Sequence, residues 1–197
     1  MSVFKQTAGL PNALSLGLML ACGCAQGAPT RWFVEEGSRL GFIANQAGAD
    51  FEGRFEEFGA VIEFDADSLE ESRFLVEVSL NSVATENDER DDILRSPDLF
   101  DAGRWPTSVF QASAFEHVGQ NLYRAQGELK IRDVSNALTL PFEFTIEEDG
   151  ARARLEGAVE LSRLDYGVGQ GEWKDTTWVA DKVTAIFALR LVAVQSD

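Results

Sequence analysis

Cysteine and histidine are almost missing from this 197-residue chain: Cys22 and Cys24 lie close together near the N-terminus, and His117 is the single histidine. With no thiol beyond Cys24, no disulfide can brace the remainder, so its stability has to come from burial, which is ordinary at about 170 residues. One imidazole excludes a His-built metal site except as a lone ligand. It gives no support to a Ser-His-Asp or Cys-His arrangement, because its neighbours are turn residues. Beside Glu116, His117 is assigned to solvent.

Positive charge is also scarce. Seventeen Lys and Arg stand against 33 Asp and Glu, a net charge of -16. Binding phosphates needs a basic stripe, and none is visible, which argues against nucleic acid and against anionic lipid headgroups. An acidic exterior around an apolar interior fits a soluble carrier, and it equally fits a need for solubility alone.

Long hydrophobic runs are missing as well. The stretch Ala13 to Cys22 is apolar but too short to span a bilayer, and small residues Gly23, Ala25 and Gly27 follow it. Residues 1–27 therefore read as a secretory signal cleaved after Gly27, with lipoprotein processing at Cys22 or Cys24 as the alternative. Residues 28–197 read as one domain.

What is abundant is alternation. Apolar residues occupy every second position in Phe74 to Leu80, in Leu138 to Ile146 and in Val183 to Ala193, as expected of antiparallel strands with one buried face. Leu122 to Ile131 places Tyr123, Ala125, Gly127, Leu129 and Ile131 on one face, and Ala151 to Leu161 does the same with Ala153, Leu155, Gly157, Val159 and Leu161. Gly157 and Ala153 on the inner face are expected to leave space. Arg31 to Val34 and Leu40 to Ala44 read as an opening hairpin or two neighbouring strands, followed by Phe51 to Phe55 and Ala60 to Phe64. Gly53 suggests a bulge or a close backbone approach.

The period changes only near residues 87–101, where Asn87 or Asp88 caps a short helix that ends at Ser96-Pro97, with a second turn over Asp98 to Ala102. Eight to ten short-turned strands favour a closed barrel or a sandwich, and periodicity does not separate them.

Chemical motifs are weak. The acidic run Glu86, Asp88, Glu89, Asp91, Asp92 lacks the glycine and ligand spacing of a calcium loop and reads as a solvated face. The loop Tyr166-Gly167-Val168-Gly169-Gln170-Gly171 imitates a phosphate motif but precedes no helix, so it reads as a rim. Fourteen Phe and four Trp remain. Ordinary core packing accounts for any one of them, and collectively they could line a tunnel in which each buried methylene contributes about 0.8 kcal/mol.

Three groups of residues carry a resemblance. They are Phe51-Glu52-Gly53-Arg54-Phe55 with Ile62-Glu63-Phe64-Asp65; Ile93-Leu94-Arg95-Ser96-Pro97-Asp98-Leu99-Phe100-Asp101 with Trp105-Pro106 and Phe110; and Gly127 to Val134 with Arg163 to Gly169. In this order and spacing, from Trp32 to Val194, the chain resembles the YceI-like family. The resemblance implies an all-β, closed, lipocalin-like antiparallel barrel of about eight strands, exported to the periplasm and enclosing a polyisoprenoid or other long amphiphilic lipid. It also implies frequent dimers and, as functional neighbours, membrane b-type cytochromes, which makes isoprenoid quinone a candidate cargo. Many members have a His after the second strand, where this chain has Asn45-Gln46. Gln46 can donate to a carbonyl or hydroxyl but cannot titrate.

The expectation is thus a periplasmic lipid carrier without catalytic residues, metal or cofactor other than the bound lipid. Inward parity selects Phe42, Phe51, Phe74, Val76, Val78, Phe110, Leu129, Phe142, Phe144 and Phe187 as tail contacts, and Gln46, Arg163, Tyr166 and Trp173 as rim residues. The rivals are a lipid-modifying enzyme, which needs an acid or base in the pocket, and a stress-related module that uses its acidic surface on a protein partner.

Overall fold

The computed structural model describes residues 29–194, so the secretory-signal reading falls outside the described residues. Eleven strand segments are present: β1 Arg31–Val34, β2 Arg39–Gln46, β3 Ala49–Phe55, β4 Phe58–Glu63, β5 Arg73–Ser79, β6 Val83–Ala84, β7 Thr107–Gly119, β8 Leu122–Ile131, β9 Val134–Ile146, β10 Arg152–Ser162 and β11 Lys182–Ala193. One α-helix among the described residues, α1 Asp88–Arg95, lies between β6 and β7.

Pairing reduces these segments to eight long strands. β1 and β2 are two halves of one bent strand, since both pair antiparallel with β11. β3 and β4 form the next bent strand, pairing with β2 and β1 respectively. β5 and β6 form the third, pairing with β4 and β3. Continuing through β7, β8, β9 and β10 to β11 and back to β1, the order is up-and-down and closed. Closure removes the open sheet edges that a sandwich would leave.

The opening hairpin or pair of neighbouring strands expected of Arg31–Val34 and Leu40–Ala44 is therefore corrected to one bent strand. The turn at Glu35 to Ser38 bends a single strand, and Ser38 pins that bend to β11: its Oγ accepts from Arg190 N at 2.9 Å and donates to Glu35 O at 2.7 Å. The true reversal is at Ala47-Gly48, both in the left-handed region (φ 53° and 82°), the backbone of a tight hairpin turn.

The α1 helix starts as read from sequence, with Asn87 accepting from Arg90 N at 2.9 Å. The second helical turn is replaced by hydrogen-bonded turns, with Asp101 N donating to Ser96 O at 2.8 Å and Asp101 at φ 49°. β7 runs from Thr107 to Gly119, and β11, which holds the Val183 to Ala193 alternation, begins at Lys182.

The two ends of the barrel differ. At the end formed by β1, the tip of β4 and the start of β5, rings converge on Phe64, which is 1% exposed. Phe74, Phe115, Tyr123, Phe142 and Phe144 all have centroids within 6.0 Å of it. Trp32 stacks edge-on against Phe144 at 5.6 Å, and its indole N–H donates to Phe64 O at 3.4 Å. Each such burial contributes about 1.5–3 kcal/mol, and ring pairs add about 0.5–1.5 kcal/mol.

At the other end lie β2, β3 and β6, the other halves of the three bent strands, and α1 packs against β6. The β9–β10 ladder covers only Ala153–Glu156 against Ile146–Glu143 and stops before Pro141, a residue with no N–H to extend it. Gly157 sits where that ladder ends, and a Cβ there would lie 2.5 Å from Pro141 O.

Small inward residues do not act as expected. Phe187 covers Gly157 so closely that a Cβ would sit 2.5 Å from its ring, and Phe42 covers Gly53 at 2.3 Å. Ala153 is buried in the packed end. These positions receive aromatic rings from neighbouring strands and do not open the interior, and the close approach expected at Gly53 is to the Phe42 ring.

Candidate functional site: an apolar cavity and its mouth

Burial along single strands locates the hollow part. On β9 the inward residues Phe144 and Phe142 are buried, whereas Leu140 and Leu138 are only half-buried; on β11 the change falls between Leu189 and Phe187. Two apolar cavities occupy this region, of about 190 Å³ and 120 Å³. They share Leu40, Val78, Ser108, Leu129, Leu161 and Ala185 as lining, so they adjoin along the barrel interior.

The Ser108 and Arg163 side chains in their lining are already committed. Ser108 Oγ donates to Lys130 O at 2.8 Å. Arg163 donates from Nε to Ala180 O (3.0 Å), from Nη1 to Val168 O (2.9 Å) and from Nη2 to Val179 O (2.9 Å). Burial pushes its pKa down, and Asp181 partly offsets this. Burial also raises the Tyr166 phenol, with Asp165 adding to the effect, so it stays neutral well past pH 7. Among the described residues, no Asp, Glu, His, Lys or Cys lines either cavity.

The sequence candidates separate by height along the barrel. Phe42, Phe51, Val78, Leu129, Arg163 and Tyr166 line the larger cavity; Phe74, Val76, Phe110 and Phe187 line the smaller, together with Val78 and Leu129. Phe142 and Phe144 line neither and belong to the ring cluster around Phe64. Arg163, chosen as a rim residue, is 7% exposed and ties the 163–181 loop together through its carbonyls.

Gln46 and Trp173 meet elsewhere, in an open groove of about 260 Å³ between α1 and the 173–179 segment. Arg90 of α1 is in that groove and was not singled out from sequence, where it is one basic residue inside an acidic run. Leu94, Phe55 and Phe100 also line the larger cavity without having been singled out. Leu94 also borders the groove, and Phe55 and Phe100 touch in the cavity wall with ring centroids 6.0 Å apart.

The family model of the YceI-like domain matches residues 33–191. The chain belongs to the YceI-like family. It is 27% identical over 164 residues to a UPF0312 protein of Azotobacter vinelandii, covering 79% of this chain and 85% of that one. It is 28% identical over 163 residues to UPF0312 protein VVA0736 of Vibrio vulnificus, covering 79% and 86%.

Among solved structures, BcnA of Burkholderia cenocepacia is similar with a TM-score of 0.77 and 29% identity, covering 80% of this chain and 98% of that chain. The YCEI protein of Campylobacter jejuni gives a TM-score of 0.66 at 24% identity, covering 75% and 87%. A polyisoprenoid binding domain from Saccharophagus degradans gives 0.67 at 16% identity, covering 84% and 99%. The last two likenesses concern the fold alone. As a YceI-like barrel, the chain combines a closed aromatic end with a hollow apolar end.

Proposed function

We propose that this protein is a lipid carrier that holds the apolar tail of a polyisoprenoid lipid in the hollow half of its barrel. The observation that supports this best is the pair of adjoining cavities, whose lining is almost wholly apolar and in which Ser108 and Arg163 are engaged within the protein. An apolar cavity of about 150 Å³ stays dry and accepts a benzene-sized guest. On that scale the two cavities take about two isoprene units as they stand, and a longer tail needs the mouth side chains or the β9–β10 seam to yield.

Membership of the YceI-like family and the likeness to a polyisoprenoid binding domain support the lipid class. An uncharged tail suits a site with no charged anchor, at about 0.8 kcal/mol for each buried methylene. Delivery through the periplasm, with an isoprenoid quinone as cargo, extends the same reading. The absence of an acid or base from the cavity lining favours binding over lipid-modifying catalysis.

The test is extraction of the purified protein with organic solvent and mass spectrometry of the extract. A prenyl compound in near-stoichiometric amount is expected. Protein without lipid that also binds no added prenyl compound overturns the reading.

A further inference from the structure

The wall of the hollow half is interrupted. β9 and β10 pair only through Glu143–Ile146 and Ala153–Glu156, whereas β9 keeps its pairing with β8 up to Val134 and β10 is paired with β11 along its whole length. The edges 137–141 and 158–161 are therefore each held by one neighbour and face each other across a seam about 16 Å long at the usual rise of a strand. Both ends of the seam are fixed. At one, Gly157 lies so close to Pro141 that a Cβ would be 2.5 Å from its carbonyl oxygen. At the other, Asn136 Nδ2 donates to Asp165 O at 3.0 Å.

The smaller cavity lies directly behind the seam. Leu138 and Leu140 line it from β9, and Leu155, Val159 and Leu161 line it from β10. On the outside, the exposed residues Ala137, Thr139, Pro141 and Ala158 carry no charge, and the Glu160 carboxylate is drawn towards β11 by Lys182 Nζ at 2.8 Å. The outward positions of β8, by contrast, include Arg124, Glu128 and Lys130. A hydrocarbon crossing at the seam passes between small or apolar side chains and strips no charge of its water.

A route through the groove beside α1 is fastened more firmly. Leu94 and Val179 stand between the groove and the larger cavity. On the Leu94 side, Arg95 ties α1 to the wall, donating from Nε to Asn81 O at 3.0 Å and from Nη2 to Val83 O at 2.9 Å. The buried Asp91 carboxylate adds a third tie by accepting from Thr85 Oγ1 at 2.6 Å. On the Val179 side, Ala180 N donates to Asn45 O at 3.0 Å and Ala47 N to Trp178 O at 2.8 Å. Moving either element aside breaks hydrogen bonds worth about 0.5–1.5 kcal/mol each, whereas parting the seam breaks no bond of the ladder.

We infer that the seam between β9 and β10 is a side port through which the lipid tail enters and leaves the barrel. The tail slides between two strand edges whose ends stay tied, and the part of a long tail that the cavities do not hold lies in the seam. The inference rests on the tail-binding reading above and adds the route.

Bridging the seam tests it. Continuing the register of Glu143 with Glu156 sets Thr139 opposite Glu160, and both are exposed. Thr139→Cys and Glu160→Cys are introduced together with Cys22→Ser and Cys24→Ser, the two new thiols are joined by a short reducible bis-thiosulfonate, and the bridged monomer is isolated. Stopped-flow fluorescence then follows entry of a phenylnaphthylamine dye and its displacement by geranylgeraniol. Both rates are expected to fall about tenfold or more on bridging, with little change in dye affinity, and to recover when the bridge is reduced. Unchanged rates in the bridged protein, or slowing that reduction does not reverse, overturn the port and leave tail binding intact. Failure of the parent protein to bind either the dye or geranylgeraniol refutes tail binding itself, and the port with it.

Discussion

The closed and hollow halves of this barrel are built from the same strands and the same alternation, yet they have different physical jobs. Around Phe64 five rings fill the interior, and the wall there is hydrogen-bonded between neighbouring strands. Around Leu129 the inward side chains leave cavities, three strands bend, and the β9–β10 ladder has ended. Ring packing is concentrated at one end and unfilled space at the other, so local stability is expected to differ along the same strands.

The sharpest way to break that comparison is to delete one ring at each end. Phe64→Ala is expected to cost about 3–5 kcal/mol in denaturant unfolding, because the void it leaves is walled by other rings. Phe100→Ala borders the larger cavity, space that is already open, and is expected to cost less than half as much. Similar losses at the two positions would mean that the halves are equally packed.

Adding volume reverses the order of tolerance. Ala125→Phe, at a position with 0% exposure in the closed half, is expected to cost about 1–3 kcal/mol or more through overpacking. Ala185→Phe projects into both cavities and is expected to change stability by under about 1 kcal/mol while abolishing binding of an apolar dye. Retained binding in folded Ala185→Phe would move the ligand out of the barrel.

Hydrogen exchange tests the seam. Amides of 157–162 facing β9, and of 134–140 facing β10, are expected to exchange faster than those of 142–146 and 153–156, which lie in or beside the ladder. Uniform protection along β10 would show the seam to be closed in solution.

The smallest effect is expected at the Asp149 turn of the closed end. Its carboxyl pKa is lowered from 3.8, mainly by the Ala151 N–H, with Arg152 contributing. A carboxyl whose pKa is depressed by folding stabilises the native state above its unfolded value. That stabilisation is lost as pH falls through the lower folded value. Asp149→Asn should therefore melt slightly earlier than the parent at neutral pH and equally once the carboxyl is protonated. An equal difference at every pH would assign the effect to the turn's shape instead of its charge.

Which side of the sheet each residue faces was legible in the sequence, because a period of two is set by the strand itself. Tyr123 to Ile131 and Val183 to Ala193 show it without ambiguity, and the motifs from Phe51 to Gly169 pointed to the barrel. Height along the barrel was not legible. Phe144 and Phe187 have the same parity and aromatic character, yet one is in the packed end and the other lines a cavity, because pairing register decides this and register depends on distant strands.

The same limit explains the first strand. β1 and β2 look like a hairpin locally, and their shared partner β11 lies some 150 positions further along the chain. Arg163 reads as a rim residue because sequence does not reveal that loop carbonyls occupy its donors. Arg90 was overlooked because a single Arg within an acidic helix resembles an ordinary surface charge.

The most direct measurement is the set of nuclear Overhauser contacts between methyl-labelled protein and a bound geranyl-tailed quinone. Contacts to the methyls of Val78, Leu129 and Leu161, with none to Ala125 or Leu191, are the result predicted for a tail held in the hollow half. Contacts to Ala125 or Leu191, or contacts to outward-facing methyls alone, would contradict it.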